Sequence, residues 1–176
     1  MNTETLPEKE RMQMQEQLEI LCSDDGLKRR DARKILVKEG ISVLPYVMEL
    51  LDSKKHICRW EAMKVMVEIG SPNSIPIFLE SLSDESGDIR WIASEGLIHT
   101  GKYSVKPLLE LILDEHDSVF VLNGAHHVFS VLNTKKLLPK DFPTKELLNM
   151  LRVTGNPSSL KVLVHQTLNT IKLEEE

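Results

Sequence analysis

The chain has 176 residues, 41% of them hydrophobic and only 5% aromatic, so a core has to be built from aliphatic side chains. Lys and Arg number 22 against 27 Asp and Glu, a net charge of −5, which argues against a general nucleic-acid binder because counterion release needs a concentrated basic face. The two cysteines, Cys22 and Cys58, form no C-x-x-C pair; they read as thiols, with Cys58 a small core residue, and fit a reducing, cytoplasmic setting.

In chain order, Met1–Thr5 is polar and acidic, without the charged start and apolar core of a leader, and is expected to fray. Thr5, Pro7 and Glu8 form a helix-start pattern with a capping box. Met14, Leu18 and Leu21 then give one narrow apolar stripe, predicting a helix over residues 7–22 that caps the rest of the chain. Ser23-Asp24-Asp25-Gly26 ends that helix and caps the next. No apolar run reaches the about 18 residues of a membrane span.

Beyond residue 25 the chain repeats itself. Arg-x-x-Ala opens three copies, at Arg29, Arg59 and Arg90, and a glycine follows each central alanine by eight residues: Ala32 to Gly40, Ala62 to Gly70, Ala93 to Gly101. Each copy predicts two helices. The first centres on that alanine and buries Ile35 and Leu36, or Val65, Met66 and Ile69, or Gly96 and Leu97; the small residues allow neighbouring helices to approach closely. The glycine supplies the left-handed residue that closes it. The second helix starts near Pro45, Pro76 or Pro107, where a missing N–H removes no helical bond. It buries Val43, Tyr46, Val47 and Leu50; then Ile75, Phe78, Leu79 and Leu82; then Val105, Leu108, Leu109 and Ile112. Acidic turns at Asp52, Asp84 and Asp114 lead onward.

A fourth copy is degraded. Ala125, Val128, Phe129 and Leu132 keep the pattern, Leu122 replaces the arginine, and Asn133 takes the place of the closing glycine. Residues 138–143 stretch the turn before a helix over 144–151. Gly155-Asn156-Pro157 breaks the chain, a last amphipathic helix over 158–171 buries Leu160, Leu163, Val164 and Leu168, and Glu174–Glu176 is a solvated end. The whole reads as about ten helices and no strand.

The run Asp88-Ile89-Arg90-Trp91-Ile92-Ala93, followed by Gly101 and Ser104-Val105-Lys106-Pro107-Leu108-Leu109, resembles the HEAT-like repeats named for phycobiliprotein lyases. The resemblance covers residues 26–132, with weaker continuation to 171. It implies an all-α fold, a right-handed α-α superhelix of the armadillo-like, HEAT-like solenoid type with about four to five helix pairs. First helices would lie outside and second helices would line a concave groove. The expected divisions are a capping helix over 1–25; repeats over 26–53, 54–84 and 85–115 with a fourth starting at 116; and a degenerate repeat with a capping helix over 133–176. Fold analogy carries no chemistry by itself.

Several residues invite a functional reading beside a structural one. Trp60 and Trp91 share one repeat position and form either a hot-spot patch or packing over the next repeat. Arg29, Arg59 and Arg90 recognise phosphate or carboxylate, or else, as the resemblance implies, brace loop carboxylates such as Asp52, Asp84 and Asp88. Lys28, Arg29, Arg30, Arg33, Lys34 and Lys38 make the densest basic cluster, read as a solvated face in preference to a phosphate surface. His116, His126 and His127 lack metal-ligand spacing, since adjacent helical histidines point about 100° apart. No catalytic constellation or cofactor motif is found.

The expected function is therefore a non-enzymatic scaffold or adaptor that binds a protein through the concave face. Aligning the second helices puts Met48, Glu80 and Glu110 at one position and Glu49, Ser81 and Leu111 at the next. That acidic ladder suits a basic extended or helical segment and repels phosphate. The alternatives are a bilin-lyase-type chromophore chaperone and DNA-lesion binding of the HEAT-like glycosylase type.

Overall fold

The computed structural model describes residues 8–152 and 157–171, and among them every regular element is helical. The Thr5–Glu8 capping pattern, the frayed start, the Gly155-Asn156 break and the Glu174–Glu176 end lie outside the described residues. The chain divides into two compact units, Met1–Ile69 and Gly70–Glu176.

The first unit holds α1 (Glu8–Leu21), α2 (Gly26–Glu39), α3 (Leu44–Glu49) and α4 (His56–Ile69). Met14, Leu18 and Leu21 are buried, as the single stripe of α1 predicts, and α1 packs against α2 and α4. Asp25 caps α2, accepting from the N–H groups of Leu27 at 2.9 Å and Lys28 at 3.2 Å. The Lys28 bond, with the Leu27 bond behind it, lowers the Asp25 carboxyl below its ordinary value. Ala32, Leu36, Val43, Val47, Ala62, Met63, Val65 and Met66 fill the core. Ile35, expected inside, is 39% exposed. The stripe that buries Ala32 and Leu36 leaves it at the edge.

The second unit holds α5 (Ile75–Glu80), α6 (Gly87–Thr100), α7 (Val105–Asp114), α8 (Val119–Thr134), α9 (Thr144–Arg152) and α10 (Pro157–Thr170). Phe78, Leu82, Leu97, Leu108, Leu109, Ile112, Phe129 and Leu132 are its largest fully buried side chains. The stretched turn contributes as well: Phe142 is buried and its ring centroid lies 5.4 Å from that of Phe129. Tyr46, Leu50, Ile69, Leu79, Leu163 and Leu168, all expected in the core, are only half-buried.

The second helices differ from expectation, and proline accounts for the winding of their first turn. Neither α3 nor α5 is one continuous helix; each is a six-residue α-segment between two 3-10 turns. Pro45 offers no N–H to the carbonyl of Ile41, and that carbonyl is taken instead by the N–H of Leu44, three residues on. Pro76 and the Ile75-to-Pro72 bond repeat the arrangement. The tighter winding satisfies a carbonyl that an α-turn would leave unpaired.

Gly40, Gly70 and Gly101 close α2, α4 and α6 at φ of 66°, 66° and 62°, a left-handed backbone that a Cβ penalises. In the fourth copy the expected Asn133 is still inside α8. The positive φ of 57° falls on Lys136, and the N–H of Leu137 reaches back to the Leu132 carbonyl at 2.9 Å. With no glycine to stop it, α8 runs to 16 residues where α2, α4 and α6 have 14.

Candidate functional site

The three repeat arginines make one bond in common. Arg29 donates to the Ser23 carbonyl at 2.8 Å, Arg59 to the Ser53 carbonyl at 2.8 Å, and Arg90 to the Asp84 carbonyl at 2.7 Å. In each case the acceptor lies six residues upstream and is a main-chain oxygen, where a loop carboxylate such as Asp52, Asp84 or Asp88 was expected. The guanidinium folds back over the helix start, past Gly26 in the first copy and Gly87 in the third. A Cβ at those glycines would stand 3.5 Å and 3.3 Å from the arginine's NH2. Each of these bonds ties one corner of the chain locally.

The basic cluster on α2 separates into two groups. Arg29 and Arg33 turn toward the carboxylate of Glu61 on α4, with Arg29 Nε at 3.4 Å; Lys64 Nζ joins at 3.3 Å, and Arg33 also bonds Glu68 at 2.8 Å. Glu61 is only 4% exposed, so these cations compensate a carboxylate taken out of water. Arg30 pairs with Asp31, and Lys28, Lys34 and Lys38 face solvent. Sequence reading passed over Glu61. The signal was a carboxylate directly beside the central alanine.

Cys22 and Cys58 form a disulfide, with Cα atoms 4.7 Å apart and 36 residues between them in sequence. This overturns their reading as thiols. Cys22 directly follows α1 and Cys58 lies in the first turn of α4, two positions that the packing of α1 on α4 brings together. Further along α1, Gln13, Met14 and Gln17 form one wall of a groove of about 300 Å3, with Ile35, Glu39 and Val43 across it.

The histidines do not converge. Arg152 Nε donates to His126 Nε2 at 2.8 Å, while His127 Nε2 meets Glu95 Oε1 at 3.0 Å. Burial first, then the charges of Arg152 and His127, lowers the His126 pKa below its ordinary value.

Among the residues aligned for partner binding, Met48 and Glu49 are exposed on α3, and Trp60 is half-buried with Lys64 Nζ 5.9 Å from its ring centre. In the second unit Glu80 and Glu110 are exposed on α5 and α7, which pack together; Ser81 and Leu111 are half-buried. Trp91 is 56% exposed, unlike its counterpart Trp60.

The first half of α8 carries two more exposed large apolar side chains, which the repeat pattern did not reveal. Val119 and Phe120, at the start of α8, are 53% and 49% exposed. Helices α6 and α8 pack against each other, and the Arg90 guanidinium carbon lies 4.0 Å from the Phe120 ring centre, a stacking contact that fixes the ring. The approaches to these helices are acidic: Glu85 and Asp117 are exposed in the loops before α6 and α8, Asp88 in the first turn of α6 and Asp114 at the end of α7, and Ser83 Oγ donates to Glu115 Oε2 at 3.0 Å, joining one approach to the other. The available signal was a pair of large apolar residues directly after the capping Ser118, ahead of the buried stripe.

Comparisons with protein-family models, curated proteins and solved structures find no match to this chain.

Proposed function

We propose that this chain is a non-enzymatic protein-interaction scaffold, built of HEAT-like helix pairs in a short α-solenoid, whose partner is a protein segment carrying Lys or Arg around apolar anchors. One observation carries the reading: Trp91, Val119 and Phe120 are all left exposed on the first halves of α6 and α8, beside acidic loops. Tryptophan and other large side chains dominate binding energy when a partner desolvates them. The surrounding carboxylates favour a cationic partner and speed its approach. They also repel phosphate, which disfavours the DNA-lesion alternative. The repeat assignment is supported by the shared arginine bond, the three positive-φ glycines and the proline-led second helices.

The test is a comparison of wild type with the Trp91→Ala, Phe120→Ala double variant as bait in extract from the native cell, followed by binding kinetics on each purified partner at two ionic strengths. The expected result is affinity lower by roughly 10- to 100-fold in the variant, with the circular dichroism spectrum unchanged and association in wild type slowed by salt. Partners that bind both proteins equally would move the functional surface elsewhere, with the Glu80 and Glu110 face of α5 and α7 next in line.

A further inference from the structure

We propose that the Cys22–Cys58 pair is a thiol–disulfide exchange site, opened by a dithiol reductant, and that opening it releases α1 from the first unit. The inference is independent of the α6 and α8 surface.

The two sulfurs differ in access. Cys58 is buried, whereas Cys22 is half-buried just beyond the end of α1. An incoming thiolate therefore attacks Cys22 Sγ, forming a mixed disulfide and expelling Cys58 Sγ as a thiolate. That charge develops in the first turn of α4, where the positive end of the helix dipole favours it, and it then takes a proton. The reductant's second thiol, as its thiolate, attacks the mixed disulfide and releases Cys22, which also takes a proton. In balance, one dithiol is oxidised to its disulfide and the protein gains two electrons and two protons.

Beside the bond, α1 is held by its packing on α2 and α4. Among its described residues α1 buries only Met14, Leu18 and Leu21, and a 14-residue helix is marginal by itself in water. Closing a loop between residues 36 apart removes much of the freedom of the undocked chain and biases docking on the order of a hundredfold. Once the bond is cut, α1 can leave. Leu36 and Val43, both lining the groove opposite Met14, then lose their cover, and the groove loses a wall. Reduction thereby uncovers the apolar side chains that Met14 faces across the groove.

The test uses the full chain, equilibrated with oxidised or reduced dithiothreitol, and follows amide hydrogen exchange. The expected result is exchange in α1 faster by about tenfold or more on reduction, with α6 and α8 unchanged, and Cys22→Ser matching the reduced pattern in both buffers. Should Cys22→Ser fail to fold, reduced wild type carries the comparison, with circular dichroism reporting its retained helix. Equal α1 exchange in the two buffers overturns the proposal. So does alkylation of both cysteines by iodoacetamide in the oxidised native chain, since no bond would then exist to open.

Discussion

Gly96 lies so close to the ring of Phe78 that a Cβ added to it would stand 2.7 Å from both Cε1 and Cζ. Phe78 is fully buried. Gly96→Ala gains about 1 kcal/mol of helix propensity and meets an overpacking cost of roughly 1–3 kcal/mol. The expected outcome is a net loss of stability, read as a lower urea midpoint at unchanged slope. A midpoint at or above that of wild type would show that α5 and α6 are not packed through this contact.

What the sequence discloses here, and what it does not, divides along a physical line. Gly40, Gly70 and Gly101 were legible because a left-handed residue is a local backbone demand, and Pro45 and Pro76 because a missing N–H is one too. Gly96 was legible as a close-approach position through its alignment with Val65 and Ile35. The Glu61 cluster, the Cys22–Cys58 bond and the contact of Arg90 with Phe120 bring together residues 28 to 36 positions apart in the chain. No local propensity marks them. The positive φ at Lys136, beyond the end of α8, was missed for another reason: without glycine, several residues can supply it, and tertiary packing selects among them.

Glu61 offers the second prediction. Replacing it with Gln keeps the shape and removes the charge that Arg29, Arg33 and Lys64 share. Removing one partner of a fully buried ion pair costs about 3–5 kcal/mol; here the cations keep some contact with water, so a loss of roughly 1–3 kcal/mol is expected. Thermal unfolding checks it. A variant within experimental error of wild type would make the cluster electrostatically idle.

Arg90 links the skeleton to the exposed surface. It donates to the carbonyls of Asp84 and Glu85 and stacks on Phe120. Arg90→Lys keeps the charge but loses the planar fork, and the expected cost is about 1–2 kcal/mol. A crystal structure of the variant should show the Phe120 ring displaced. An unmoved ring with unchanged stability would mean that the stacking contributes nothing.

The last prediction concerns pH. His126 has a folded-state pKa below its ordinary 6.5, chiefly through burial. The unfolded chain therefore binds the proton first as pH falls. The contribution of neutral His126 is fully present above 6.5 and is lost as pH drops through the lowered folded value. His126→Gln can still accept from Arg152 without titrating. The ratio of urea midpoints between pH 7.5 and pH 5 should thus be closer to one in the variant than in wild type. Identical pH dependence in the two proteins would remove His126 as a source of acid sensitivity.

The arginine bonds have a consequence for how such a chain can lengthen. Arg29, Arg59 and Arg90 each reach an oxygen only six positions back, so the device that sets each corner is wholly contained within the copied segment. A tandem duplication of 30 or 31 residues, the spacing between these arginines, arrives with its hinge already stitched. No distant residue has to change in step for the new corner to form. Where Leu122 stands in place of an arginine, the start of α8 is fixed instead by Ser118, which caps Val121 and whose N–H bonds the Glu115 carbonyl.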